Sequence, residues 1–400
     1  MTRLKGGEVV EIRTAVGTPD TWQAITCQVT EARLSYGASR SRGVLTQGEP
    51  GALEIAMYDP DRTLDPSNAS GPFVNILKAG LWLRLSYDDG TRTILKQGYL
   101  DSLEYDLVER TGRIRANDWV AWASRYQFPN VTKHAYMGSW NNLGQINDGL
   151  IAAINLASGS PDKIPFRTDP AIPYVMAHPI DYPNAPTDPP GPIPTGPAFW
   201  DHLTSVGEAY LYMVWMSADL MVKAVDSTVP HGPRVEVGCP GLALMDFQSR
   251  VEGSNIVNAL TVNYGGTDYY RHNAPSVFAW GEQRFNPSRP VPFNGRWDGN
   301  SYATAVINDR GQPSLEAVPL RIIPQTAAEL RALLAITPMQ QVHMTAADPA
   351  LSVYGRAIGA EIGVTPEGWE ALIVTYIKPG DVPLATLRDE VLEFQAEPAE

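Results

Sequence analysis

Apolar and polar residues alternate with period two in short runs through residues 1–125. Ile25, Cys27 and Val29 form one run, Leu53, Ile55 and Met57 a second, and Leu81, Leu83, Leu85 and Tyr87 a third. Such alternation turns one face of a strand toward a core and the other toward water. Asp89-Gly90 follows the third run and Thr93 to Leu95 begins another. This predicts a hairpin, because Asp-Gly accepts the positive φ of a two-residue turn. Several short strands at this spacing point to a small barrel or sandwich.

The pattern changes near Tyr126. Leu143, Ile146, Leu150, Ile151 and Ile154 recur at helical spacing between Asn142, a capping residue, and Gly159, which predicts a helix over 142–157. Pro161 to Pro197 then holds 12 of the 34 prolines. Proline removes backbone donors and forbids helix or central strand. The segment also carries Ile164, Phe166, Ile172 and Tyr174, so it reads either as an extended arm laid on a surface or as a linker. Phe199, Trp200, Leu203, Val206 and Ala209 form a short helical pattern. Strands over 210–215 and 220–225 follow, joined by Ser217-Ala218-Asp219. In this helix-and-hairpin unit Trp200, Tyr210, Tyr212 and Trp215 read as core.

A second β region starts near Val235. Ile256, Leu260, Val262 and Tyr264 lead into a long polar-aromatic stretch, Gly265 to Asn300. Thr326 and Glu329 make a capping box before Leu330, Leu333 and Leu334. Val342 and Met344, then residues 351–354, 357–362 and 369–376, read as strands. The resulting fold class is mainly β (α+β). Two small β-barrel domains, 1–125 and 233–378, flank a helix-plus-hairpin insert with a Pro-rich arm, 126–232, and a polar tail occupies 379–400.

Composition narrows the function. The chain has 400 residues, 44% hydrophobic and 19% charged, which excludes disorder. Its formal net charge of -13 argues against holding duplex nucleic acid, which needs clustered Lys and Arg. An acidic wall would instead let DNA slide past. Cys27 and Cys239 are the two cysteines, expected to be reduced and buried. The N-terminus lacks the apolar core of a signal peptide, and the longest apolar run, Ala209 to Met216, is too short to cross a bilayer. These features predict a soluble chain folding in a cytoplasm.

No catalytic residue, cofactor or metal is expected. The six histidines, His134, His178, His202, His231, His272 and His343, offer no pair at the spacing of a helical zinc motif. Asp201 and His202 are adjacent, but on a helix their side chains diverge. In Tyr58 to Asn68, Asp59, Asp61, Thr63 and Asp65 alternate as oxygen ligands in a calcium loop do. However, Leu64 and Ser70 stand where that loop needs Gly and Glu. The alternative is a double turn in which Asp59, Asp61 and Asp65 cap backbone amides and Arg62 clamps a carboxylate. Within Gly265 to Asn300, arginines interleave with Tyr269, Tyr270, Trp280, Phe285 and Trp297. These five rings are the candidate interface, for a sugar or partner, or within a long hairpin that packs at its own subunit interface.

Several segments carry a resemblance. LEIAMYDPDRTLDPSNASGPFVNILKAGLWLRL (53–85) resembles the strand, Asp-rich turn, apolar stretch and returning strand of minor tail proteins of long-tailed phages, especially those infecting actinobacteria. QGYLDSLEYD (97–106), FWDHLTSVGEAYLYMVWMSADLMVKAVD (199–226), MDFQSRVEGSNIVNALTVNYGG (245–266) and VYGRAIGAEIGVTPEGWEALIVTY (353–376) are similar to later parts of the same family, in the same order. Where that family often has an Ile-Gly-Asp turn, this chain has Ile336-Thr337-Pro338-Met339-Gln340-Gln341. The resemblance implies a non-enzymatic tail hub. Three copies would give two barrels each to a pseudo-sixfold ring at the tail tip of a virion assembled in the host cytoplasm. The implied partners are itself as a homotrimer, the distal tail protein, the tape measure protein and other minor tail proteins, with DNA passing through the ring. A hexameric distal tail adaptor, a sugar-binding tip module and a tail-associated hydrolase are the rival readings.

Overall fold

The structure is a computed structural model describing residues 4–15, 21–38, 48–73, 76–77, 79–125, 167–168, 200, 204, 207, 211–218, 220–227, 231–238, 244–246, 249–252, 256–264, 267–286, 299–311, 314–346 and 351–377. The first region contributes β1 (Glu8–Ala15), β2 (Thr21–Ala24), β3 (Gln28–Gly37), β4 (Ala52–Tyr58), β5 (Trp82–Asp88), β6 (Arg92–Asp106) and β7 (Thr111–Asp118), closed by helix α1 (Trp119–Ala123). Next come β8 (Arg167–Thr168), β9 (Tyr212–Met216), β10 (Met221–Asp226), β11 (His231–Gly238), β12 (Leu244–Asp246) and β13 (Ser249–Glu252). Then follow β14 (Ala259–Tyr264), β15 (Thr267–His272), α2 (Ala274–Trp280), β16 (Arg284–Phe285), α3 (Gly299–Arg310), β17 (Ser314–Ile322) and α4 (Ala327–Leu334). β18 (Gln340–Ala346), β19 (Leu351–Thr365) and β20 (Gly368–Ile377) complete the set.

The second and third period-two runs form strands, with Leu81 just ahead of β5, but the first does not: Ile25 and Cys27 lie in the link between β2 and β3, and only Val29 is in β3. β4 buries Leu53, Ile55 and Met57, and β5 buries Leu83, Leu85 and Tyr87. The Asp-Gly hairpin joins β5 to β6, but Asp88 pairs with Arg92, so the turn has three residues, Asp89-Gly90-Thr91. Gly90 takes the positive φ, at 101°. The capping box also forms. The Thr326 hydroxyl accepts from Glu329 N, and the Glu329 carboxylate accepts from Gln325 N, one residue before the cap.

The mainly β class holds, and the strand pairing adds a connection that periodicity did not reveal. The two β regions share one 14-stranded sheet, ordered β12-β17-β20-β19-β3-β4-β7-β6-β5-β1-β2, with β11, β13 and β18 as side pairings. Antiparallel β3 and β19 join them, from Ala32↔Val364 to Gly37↔Gly359. Among the described residues no strand path closes into either expected barrel. Gly359 permits the seam, because a Cβ there would overlap the Tyr36 and Ala38 carbonyl oxygens. Residues 351–354 and 357–362, read as separate strands, run on as one in β19, which pairs in turn with β18, β20 and β3.

The core matches the seam. One cluster combines Ile12, Leu34, Ile55 and Leu83 with Met344, Ile362, Trp369 and Ile373. Trp369 packs edge-on to Tyr87 at 5.6 Å, and its Nε1 donates to Gly6 O over a sequence separation of 363 residues. A buried ion pair sits where β6 meets β7. Lys96 Nζ lies 2.8 Å from Asp118 Oδ2 and donates to Ser35 O at 2.9 Å. The same Asp118 accepts from Gly51 N at 2.8 Å and caps α1 by accepting from Ala121 N at 3.0 Å.

Two smaller sheets complete the picture: β8-β10-β9 and β15-β14-β16. Ser217 N bonds to Met221 O across the turn between β9 and β10. Trp200, Tyr212 and Trp215 are buried, as their reading as core requires, and Trp200 Nε1 donates to Gly48 O. In the Pro-rich arm, residues 167–168 pair in parallel with β10. The expected helix over 142–157, the rest of the arm and the tail 379–400 lie outside the described residues, as does Tyr210. Among the described residues no helix is long and apolar enough to cross a membrane.

Candidate interaction sites

The Asp-rich turn follows β4. Asp59 is buried, and its Oδ1 accepts from Thr63 N at 2.9 Å and Thr63 Oγ1 at 2.8 Å, while Oδ2 accepts from Leu64 N at 2.7 Å. Asp65 Oδ1 accepts from Ser67 N and Oγ, at 2.8 and 2.7 Å, and its Oδ2 accepts from Arg62 Nε at 2.8 Å. Arg62 occupies the left-handed region at φ 57°, and Asn68 Nδ2 donates to its carbonyl. Asp61 is exposed and stands apart from this network. The carboxylates thus face the turn's own donors, and the product is a plug: Leu64 is fully buried in the main core.

The electrostatics follow from that geometry. Burial alone would raise the Asp59 carboxyl, but the Leu64 and Thr63 donors outweigh it and hold the group below the ordinary carboxylate range. The Ser67 hydroxyl, with Arg62, does the same for Asp65. Cys27 is a free, half-buried thiol 2.9 Å from Thr63 Oγ1, and burial pushes it up to about 12. Cys239 lies outside the described residues. Among the described residues no group of three His, Cys, Asp or Glu is placed to hold a metal ion.

The aromatic stretch is not one long hairpin. It folds into β15, α2 and β16, and ends at the start of α3. The sequence signals for both helices were present but short. Asn273 caps α2 by accepting from Ser276 N, Pro275 occupies the first turn, and Gly281 ends the helix at φ 72°. In α3, Tyr302, Ala303, Val306 and Ile307 form a buried stripe.

These elements divide the five candidate rings. Tyr269 and Phe285 are half-buried against the core of Leu260, Val262, Tyr302 and Val306. Tyr270, the next residue on β15, necessarily faces the other way and is 43% exposed. It stacks on His272, two residues along the same face, at 5.7 Å. The Arg284 guanidinium, itself paired with Glu282, lies 5.2 Å from the Tyr270 ring centroid. Trp280 is 37% exposed, and Phe278, a ring of the same stretch outside the five candidates, is 96% exposed. Trp297 lies outside the described residues. Tyr270, Phe278 and Trp280 are therefore the outward rings of this unit, and Tyr269 and Phe285 hold it together.

No protein-family model matches the chain, and no curated protein matches it. Solved structures do. A tail protein from Neisseria meningitidis MC58 aligns with a TM-score of 0.54 at 11% identity, over 94% of this chain and 98% of its own. The 43 kDa tail protein of prophage MuSo2 from Shewanella oneidensis aligns with a TM-score of 0.53 at 13% identity, over 94% and 99%. At these identities the likeness is one of fold, and it runs nearly the whole length of all three chains: this chain has the fold of phage tail proteins.

Proposed function

We propose that the chain is a structural component of a phage tail, and within it the hub at the tail tip. The observation that carries the reading is the fold correspondence over 94% of the chain with two tail proteins of comparable extent. In this reading three copies form a ring at the end of the tail tube, in the virion. The distal tail protein, the tape measure protein and other minor tail proteins are its neighbours, and DNA passes through without being held. The net charge of -13 suits passage of DNA. A ring of copies uses head-to-tail contacts that close on themselves. The outward rings Tyr270, Phe278 and Trp280 supply apolar area for a contact with a neighbour.

The test is electron cryomicroscopy of native particles. Three copies around the axis at the tail tip support the hub. Six copies with one β region each in the ring point to a distal adaptor, and a peripheral position points to a sugar-binding tip module. Trp280→Ala should reduce incorporation into tails while leaving the melting temperature of the isolated chain nearly unchanged. A lowered melting temperature with normal incorporation would place Trp280 in the fold instead of the contact.

A further inference from the structure

Three adjacent strands place a serine, a histidine and a glutamate in line. β11 and β18 run parallel, with Glu236 opposite His343, and β18 and β19 run antiparallel, with His343 opposite Tyr354. Ser352 lies two residues from Tyr354 and so shares its face of β19. His343 Nδ1 is 2.6 Å from Glu236 Oε2, and His343 Nε2 is 3.0 Å from Ser352 Oγ. Glu236 can only accept as a carboxylate, so the imidazole proton belongs on Nδ1, leaving Nε2 to accept from the serine hydroxyl. The ring cannot easily turn away, because it stacks on Tyr354 at 4.3 Å with an interplanar angle of 7°. Arg234 pairs with Glu236. Burial acts to raise the Glu236 carboxyl, but the hydrogen bonds from His343 and Arg234 outweigh it and keep it below its ordinary value. Ser352 itself is exposed to solvent.

A nucleophile within hydrogen-bond reach of a base that is itself oriented by a third group is the geometric signature of base-assisted acyl transfer, whatever the fold. We propose that Ser352 is an activated nucleophile toward carboxylic esters, with His343 as its general base and Glu236 as the residue that positions the imidazole. In the first step the Ser352 Oγ–H proton passes to His343 Nε2 as Oγ bonds to the ester carbonyl carbon. The C–O bond to the alkoxy group breaks, and the alkoxide leaves with the proton from His343. Water then attacks the acyl-serine by the same route and releases the carboxylic acid. This goes beyond the structural role proposed above, and neither depends on the other.

Activation of the nucleophile and stabilisation of the oxyanion are separable, and these side chains build the first, so covalent labelling is the sensitive readout. The full chain is treated with a fluorophosphonate probe, which forms an Oγ–P bond and expels fluoride, and the labelled peptide is identified by mass spectrometry. The expected result is labelling at Ser352, abolished in Ser352→Ala and slowed ~100-fold in His343→Ala, the scale of general-base assistance. Glu236→Gln should slow labelling ~10-fold or more and flatten its pH profile, with partial rescue in Glu236→Asp. Each variant's melting curve separates this from loss of fold. A folded wild-type chain that leaves Ser352 unlabelled, or labelling indifferent to His343→Ala, would overturn the proposal and make the three residues a polar clip between strands.

Discussion

Replacing Lys96 by Met tests how the first half of the sheet is held. Lys96 and Asp118 are 6% and 5% exposed, so the pair lies out of water. Met fills a similar volume but leaves the Asp118 carboxylate buried without its counter-charge. Breaking a buried pair in this way costs about 3–5 kcal/mol, because the remaining charge is uncompensated. Asp118 keeps its hydrogen bonds from Gly51 N and Ala121 N, which places the expected loss near the lower end, about 3 kcal/mol. Arg115–Glu54 supplies the control, since it bridges β4 and β7 with side chains 59% and 47% exposed. Arg115→Met should cost at most about 1 kcal/mol, because water screens such a pair. The assay is urea unfolding followed by tryptophan fluorescence. Trp119 reports on the region, because it follows Asp118 directly and packs against Trp82 at 4.9 Å. If the two variants lose equal amounts, or if Lys96→Met costs under about 1 kcal/mol, the buried pair does not hold the sheet as argued.

Two further outcomes follow from the geometry. Asp59→Ala removes the acceptor for three donors at 2.7–2.9 Å and should cost about 2–4 kcal/mol at neutral pH. Because the folded carboxyl lies below its unfolded value of about 3.9, the stabilisation is full above that pH and is lost as pH falls through the folded value. The gap between wild type and variant should therefore narrow in acid, and a gap unchanged between neutral and strongly acidic unfolding measurements would remove the carboxylate from the explanation. Gly299→Ala places a Cβ inside the Tyr269 ring, so hydrogen exchange should rise in β14, β15 and α3 but not in β4 or β5. A uniform rise across the chain would show that the small unit does not open separately.

Local structure was legible wherever neighbouring residues decide it. Leu53, Ile55 and Met57 read directly as a half-buried strand. Asp89-Gly90 read as a hairpin, and Thr326 with Glu329 read as a helix start, because each signal lies within a few residues. The β3–β19 seam was not legible, since Gly37 and Gly359 carry no local mark of their pairing. The Asp59 turn was read for its chemistry, but the burial of Leu64, which gives those hydrogen bonds a purpose, depends on strands elsewhere. Among the candidate rings, the sequence marked aromatics without orientation. Only the strand assignment separates Tyr269, facing inward, from Tyr270, facing outward. Glu236, His343 and Ser352 come from three strands, and no spacing in the chain brings them together.

The β3–β19 seam also bears on how the chain is made. On the ribosome, β3 emerges early with one edge satisfied by β4, while its other edge waits for a strand more than three hundred residues away. Through that interval the nascent chain carries a bare hydrogen-bonding edge beside a half-built core, the condition that invites wrong pairing and aggregation. The first β region should therefore stay incomplete until β19 has emerged, and a chaperone or a second chain would be competing for the same edge. A fragment ending before β19 would inherit that exposure permanently, so the two halves cannot be exchanged between relatives as independent modules.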